Sequence, residues 1–349
     1  MWATLCLLIL SPSVHAQQYE LRTYSVREGL AQSQAFSLLE DQRGYLWIGT
    51  RGGGLSRFDG EEFQTYTTRQ GLVNNYLQAL HEDPQGHLWI GTDQGACKYD
   101  GLRFEALELK TAIPAMVRAF ASDQDRLWLG TDQGLFVYQD SQLNAVSLPG
   151  PHPDIFTLLL DEDTLWVGHA KGLYQLSPTD TLTWNLRAGT ITDLERDAQG
   201  QLWIASYGRG LYRKIGQKFR RSFPDVIEGR GLIFDLMPDE EGHLWLATQD
   251  QGAIRLNLAD SSVIRLNEAN GLPSNHIHAL CRDRSGNLWL GSSGGGLSKY
   301  FGQQFVHQGE GEGLPDRAVY AVLEDLDCQI WIGAGTQGLA RKTSSGWIL

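Results

Sequence analysis

Tryptophan recurs along this chain at a spacing that leaves few folds open. Runs of the Leu-Trp-Ile-Gly-Thr type are centred on Trp47, Trp89, Trp128, Trp166, Trp203, Trp245, Trp289 and Trp331. Successive centres lie 42, 39, 38, 37, 42, 44 and 42 residues apart. A period near 40 held down the chain marks tandem supersecondary units, none of which can bury its apolar faces alone. Short apolar runs separated by turn residues divide each unit into four strands, as in Tyr76 to His81, Leu88 to Gly91, Ala96 to Tyr99 and Phe104 to Leu109. Four short antiparallel strands per repeat make one blade of an all-β propeller. The eight tryptophans are then structural: each sits on the second strand, packs between blades, and needs an acceptor for its indole N–H.

Turn chemistry fits the same unit. Asp41-Gln42-Arg43-Gly44, Asp83-Pro84-Gln85-Gly86, Asp197-Ala198-Gln199-Gly200 and Asp283-Arg284-Ser285-Gly286 each supply a capping carboxylate and a glycine for positive φ. One Asp per turn offers no converging oxygen shell, so no metal is expected.

How the ring closes is open at this level. A spare strand, Tyr19 to Tyr24, precedes the first innermost strand and can complete the last blade. Pairing with the strand around Leu339 gives eight repeats in one ring over residues 17–349. Pairing with Leu297 to Tyr300 gives a seven-bladed ring, with Phe305 to Leu349 beginning something else. Spacing does not decide between the two, and eight blades is the preferred reading. Either closure removes free sheet edges.

Residues 1–16, MWATLCLLILSPSVHA, combine a short apolar run with small residues before Gln17, the pattern of a cleaved secretory signal. The mature product is expected in the periplasm or outside the cell. Cys97, Cys281 and Cys328 fall at unrelated repeat positions, so no disulfide frame is expected. The chain has 41 acidic against 29 basic residues, a net charge of −12. Read as an acidic chain without a basic block, it is a poor partner for nucleic acid or for an anionic membrane surface.

The segments Leu46 to Asn75 (LWIGTRGGGLSRFDGEEFQTYTTRQGLVNN) and Asn270 to Tyr300 (NGLPSNHIHALCRDRSGNLWLGSSGGGLSKY) resemble the two-component regulator propeller repeat. The resemblance runs over roughly residues 19 to 342. It implies an exported sensor region of the kind found in bacterial histidine kinases, hybrid two-component systems and diguanylate cyclases. Relatives of that kind continue into a β-sandwich, a membrane helix and a cytoplasmic signalling domain. This sequence contains none of these, so the resemblance implies a sensor region cut from a longer chain, touching a membrane only through parts downstream.

Function on a propeller concentrates on loops around one channel mouth. Loops from the outermost strand to the next innermost strand share a face with loops from the second to the third strand. Arg51, Asn75, Asp93, Gln94, Asp132, Lys171, Tyr207, Arg209, Asp250, His276 and Arg317 fall on these loops. Amides, carboxylates, cations and one Tyr suit a small molecule, a hydroxyl-rich glycan or a peptide, and no cofactor is implied. His276 and His278 alternate along one strand, from which only one is expected to face the channel.

Ligand sensing is the leading function. A protein-interaction scaffold, with self-association left open, is the first alternative. A propeller glycosidase or polysaccharide lyase is the second, with Asp93, Asp132 and Asp250 as nominal carboxylates. No nucleophile elbow and no His-Glu-x-x-His sequence supports an enzyme.

Overall fold

The computed structural model describes residues 19–107, 115–148, 154–177, 182–227, 231–302, 314–316, 318–325, 329–343 and 346–349. Residues 1–16, Cys328 and Arg317 lie outside the described residues. Two compact units emerge, Met1–Phe301 and Gly302–Leu349.

The first unit holds seven four-stranded antiparallel sheets. Blade 1 runs outward through Ala35–Glu40, Leu46–Thr50, Leu55–Phe58 and Phe63–Tyr66. Blades 2 to 6 repeat this order, with innermost strands Leu77–Glu82, Val117–Ser122, Ile155–Asp161, Ile191–Arg196 and Ile233–Pro238. Blade 7 uses Ile277–Arg282, Leu288–Ser292 and Leu297–Tyr300, and takes its fourth strand, Leu21–Tyr24, from the start of the described chain. Each innermost strand adjoins the next, and that of blade 7 adjoins that of blade 1. The ring therefore closes at seven, and the preference for an eight-membered closure is corrected. Leu21 pairs with Tyr300 and Tyr24 with Leu297. A Cβ on Gly296 would land on the carbonyl of Tyr24, just as one on Gly54 would land on that of Tyr66. The borrowed strand thus occupies the outermost position of an ordinary blade.

Tryptophan packs forward around the ring. Trp203 of blade 5 lies with Ile233, Leu236, Leu244 and Leu246 of blade 6, and Trp245 with Ile277, Leu280 and Leu288 of blade 7. Trp289 of blade 7 lies with Ala35, Leu46 and Ile48 of blade 1. All seven of these rings are buried. The turn aspartates hold them there. In blade 5, Asp197 Oδ1 accepts the N–H groups of Gln199 (3.0 Å) and Gln201 (2.8 Å), while Oδ2 accepts Trp203 Nε1 at 2.8 Å. The same arrangement recurs at Asp41 with Trp47, Asp83 with Trp89, and Asp283 with Trp289. Three blades depart from it. Blades 3 and 4 have Ser122 and Leu160 in place of that Asp, and among the described residues Trp166 Nε1 has no hydrogen-bond partner. In blade 6, Arg255 Nη2 takes Asp239 Oδ2 at 3.2 Å, and Trp245 Nε1 is left without one.

The second unit is one sheet, Val319–Glu324, Ile330–Ala334, Gly338–Thr343 and Gly346–Ile348. It is the eighth repeat, pinned by Trp331 Nε1 to Asp325 Oδ2 at 2.7 Å. Gly346–Ile348 supplies its outermost strand. Tyr320, Val322, Leu323 and Leu339 of this sheet are exposed.

Candidate ligand site at the channel mouth

Seven backbone hydrogen bonds join the two loop classes, one in each blade of the ring. The donors are the N–H groups of Arg51, Asp93, Asp132, Ala170, Tyr207, Gln249 and Ser293. The respective acceptors are the carbonyls of Gln34, Tyr76, Met116, Asp154, Thr190, Leu232 and His276. Both loop classes therefore share one face, as the strand order requires.

Several expected site residues serve the loops themselves. Asn75 Oδ1 accepts Thr68 N–H at 2.9 Å, and its carbonyl accepts Gly52 and Gly54 N–H. Asp132 Oδ1 caps Met116 N–H at 2.9 Å. Asp93 accepts Gln78 Nε2 at 2.5 Å. Tyr207 donates its hydroxyl to Gln249 Oε1 at 2.9 Å, tying blade 5 to blade 6. Arg51, Gln94, Lys171, Arg209 and Asp250 are exposed on the same face.

The structure adds a ring of residues that alternation does not reveal. Every innermost strand of the seven blades carries a register shift at its second residue: Phe36, Gln78, Arg118, Phe156, Thr192, Phe234 and His278. A bulge frees one residue from the ladder and re-aims its side chain. These side chains meet across blade boundaries at the mouth end of the channel. Phe36 of blade 1 stacks on His278 of blade 7, with ring centroids 3.9 Å apart, and His278 lies 4.4 Å from Phe234 of blade 6. His276 stacks on both Phe234 (5.5 Å) and His278 (4.7 Å), and Tyr207 lies 5.9 Å from Phe234. The Arg51 guanidinium sits 5.0 Å above the Phe36 ring.

His276 and His278 thus share one side of their strand. Residues two apart do so on any strand, so the expectation that only one could face the channel is corrected. Burial, with the neighbouring His276 and Arg51 adding, pushes His278 down to about 3. Burial also lowers His276, against the opposing charge of Asp250. The aromatic arc of blades 6, 7 and 1 is consequently uncharged apart from Arg51 at neutral pH.

Across the ring the lining is polar. Arg118 Nη1 bonds Asp154 Oδ1 at 3.1 Å, and its guanidinium lies 4.6 Å from the Phe156 ring. Gln78, Asp93 and Asp132 lie beside it in blades 2 and 3.

Beneath the mouth, in blades 5 and 6, the residue after each bulge is Asp193 and Asp235. Leu236 N–H is shared between Asp193 Oδ2 and Asp235 Oδ1, both at 2.9 Å, and Asp235 Oδ2 accepts Leu280 N–H at 2.7 Å. Burial raises both carboxyls. It also pushes nearby Glu195 up to about 8, with the Asp193 charge adding to the effect. These are acids that share protons inside the wall. Asp193 and Asp235 are half-buried on the innermost strands beneath the mouth.

Asp239, Glu241 and His243 bring potential metal ligands together in the blade 6 turn. Arg255 already occupies that position, bonding Asp239 and reaching Glu241 at 2.5 Å and His243 Nδ1 at 3.0 Å. The cluster is an ion-pair network, as its sequence position in the capping turn implies. Cys97 is buried and Cys281 half-buried, both as free thiols.

No curated protein matches the chain in sequence. Among solved structures, the extracellular domain described as that of a hybrid two component system from B. thetaiotaomicron superposes with a TM-score of 0.69 at 20% identity. The match covers 95% of this chain and 54% of that one. A second such domain from the same organism gives 0.67 at 24% identity, covering 94% and 46%. Virginiamycin B lyase from Staphylococcus aureus gives 0.67 at 12% identity, covering 81% of this chain and 99% of the lyase. These likenesses are of fold, and the chain spans about half the length of the two sensor domains. At the level of sequence, the two component regulator propeller pattern matches residues 29–52, 71–94, 185–208 and 271–294. Each matched segment runs from a mouth loop through an innermost strand and the tryptophan strand to the next mouth loop. Over these four segments the chain is similar to the two component regulator propeller repeat.

Proposed function

We propose that this chain is the exported, ligand-sensing propeller of a two-component-type signalling protein, and that it takes a hydroxyl-rich ligand such as an oligosaccharide at the channel mouth. The inequality of the seven bulge positions carries this reading. A ring serving only as scaffold needs no difference between its blades. Here Phe36, Phe234, His276 and His278 line one arc, while Gln78, Asp93, Arg118 and Asp154 line the other. An apolar face beside a few placed polar groups is the usual composition of a small-molecule site. The mouth carboxylates Asp93, Asp132 and Asp154 are engaged by an amide, a backbone N–H and a guanidinium. That favours binding over acid and base catalysis. Extracellular placement of the two sensor domains agrees with the secretory signal expected at residues 1–16.

Isothermal titration calorimetry against a panel of soluble neutral and acidic oligosaccharides tests the proposal. A hit should saturate at one site per chain and weaken at least tenfold in Phe234→Ala, with Asp93→Asn weakening it less. If no oligosaccharide binds, or if a hit is indifferent to Phe234→Ala, the mouth is not its site.

A further inference from the structure

We propose that the outermost hairpin of blade 5 is a docking surface for an anionic phospholipid bilayer. The hairpin consists of Gly210–Ile215 and Lys218–Ser222. It carries Arg213, Lys214, Lys218, Arg220 and Arg221, with no Asp or Glu from Gly210 to Ser222, in a chain whose net charge is −12. The expectation of a chain without a basic block is corrected here.

Register arranges these charges. Arg213 lies directly opposite Arg220 and Ile215 opposite Lys218, so these four share one face. Neighbours on that face are about 5 Å apart across the strands and about 7 Å along them. All four are exposed. On the other face Lys214 Nζ lies 5.8 Å from the Trp166 ring and Phe219 6.2 Å from it. Among the described residues, none of the five cations forms an ion pair. The outer hairpin of blade 2, by contrast, neutralises itself: Arg103 pairs with Glu105 at 2.6 Å and Lys98 with the same carboxylate at 3.8 Å.

Like charges facing each other across a ladder destabilise it. Basic side chains also guard free edges against aggregation. Guarding alone does not account for the hairpin, since the outer hairpin of blade 1 meets the same need with Asp59, Glu61 and Glu62. Ile215 selects among anionic partners. It stands 40% exposed at the turn with cations on both sides. An aliphatic tip among basic residues suits a headgroup layer, where the apolar group enters the interface and the cations meet phosphates. A soluble polyanion makes no use of it. The acidic remainder of the chain is repelled by the same surface, so contact is confined to this edge.

Co-sedimentation of the full chain with vesicles tests the assignment. Binding is expected to vesicles containing phosphatidylglycerol, not to pure phosphatidylcholine, and to fall steeply as salt rises. Each cation contributes roughly fivefold to partitioning, so Arg213→Gln with Arg220→Gln should weaken it about 25-fold. Removing that facing pair also relieves cross-strand repulsion, so the variant's melting temperature should not drop. Ile215→Ser should weaken vesicle binding and leave retention on immobilised polyphosphate or duplex DNA unchanged. Indifference to phosphatidylglycerol overturns the proposal. So does vesicle binding that Ile215→Ser leaves intact while the arginine pair lowers it, because the hairpin would then be a general polyanion site.

Discussion

Asp197 and Trp203 allow the repeat's central contact to be measured. The Asp197→Ala change leaves the Trp203 indole N–H, buried between blades 5 and 6, and the N–H groups of Gln199 and Gln201 without their acceptor. A hydrogen bond to a charged group is worth about 1.5–3 kcal/mol, and a buried donor left unpaired costs a similar amount. The two turn N–H groups are nearer water and can recover part of theirs, so a loss of about 3 kcal/mol is expected. Trp203→Phe removes the same indole bond together with some packing. Because the two changes delete one shared bond, the double variant should be more stable than additivity implies, by about 1.5–3 kcal/mol. Trp166 is an internal control. It is equally buried but among the described residues its Nε1 has no hydrogen-bond partner, so Trp166→Phe should show the packing loss, with the Lys214 contact to the ring, but no lost indole bond. Urea unfolding followed by tryptophan fluorescence and by circular dichroism gives all the free energies on one scale. Additive behaviour of the Asp197 and Trp203 changes, or equal cost of Trp203→Phe and Trp166→Phe, would refute the claim that the aspartate holds the ring.

Two further outcomes follow from burial and backbone geometry. Because the carboxyls of Asp193, Asp235 and Glu195 are raised in the folded chain, their contribution is fully present below about pH 4 and is lost as pH rises toward and past 8. Asp235→Asn keeps an acceptor for Leu280 N–H but cannot ionise. Its melting temperature should therefore fall less than the parent's between pH 5 and 8.5, and parallel curves would show that the shared proton has no energetic role. Gly252 has φ of +76°, and a Cβ there would strike the Leu266 carbonyl, so Gly252→Ala should cost at least 2 kcal/mol. Gly44→Ala, at a φ of +86° with open space around it, should cost only about 1 kcal/mol. Equal melting temperatures for the two variants would rule out the clash.

Much of this fold is legible before any coordinates, because a blade is specified locally. The Trp, the Asp six residues before it and the turn glycines lie within one repeat, and each answers a nearby need for packing, an acceptor or positive φ. Ring closure is different in kind. Leu297 to Tyr300 and Leu339 to Lys342 carry the same strand pattern, so nothing local tells Tyr24 which to join, and the answer depends on how many wedges fit around a channel. The mouth was half legible. Loop membership placed Arg51, Tyr207, Asp250 and His276 on one face, but the bulges that present Phe36, Phe234 and His278 insert a residue into period-two alternation. A faint signal did exist: an aliphatic residue or Ala opens all seven innermost strands. Asp193 and Asp235 looked like ordinary polar strand residues, since only the arrangement of blades 5 and 6 brings them to one N–H. The cations of Lys218 to Arg221 were hidden by averaging over an acidic chain.

Leu21–Tyr24 is made first and used last. Its partner Leu297–Tyr300 follows roughly 270 residues later, which makes this one of the least local pairings a chain of this size can form. Blades 1 to 6 can assemble in order as they appear, each covering the tryptophan of the one before, while the early strand waits unpaired. The seam is thus both a clasp and a checkpoint. It cannot shut until the seventh blade exists, and a chain halted earlier keeps an open edge that other chains, or quality-control proteases, can find.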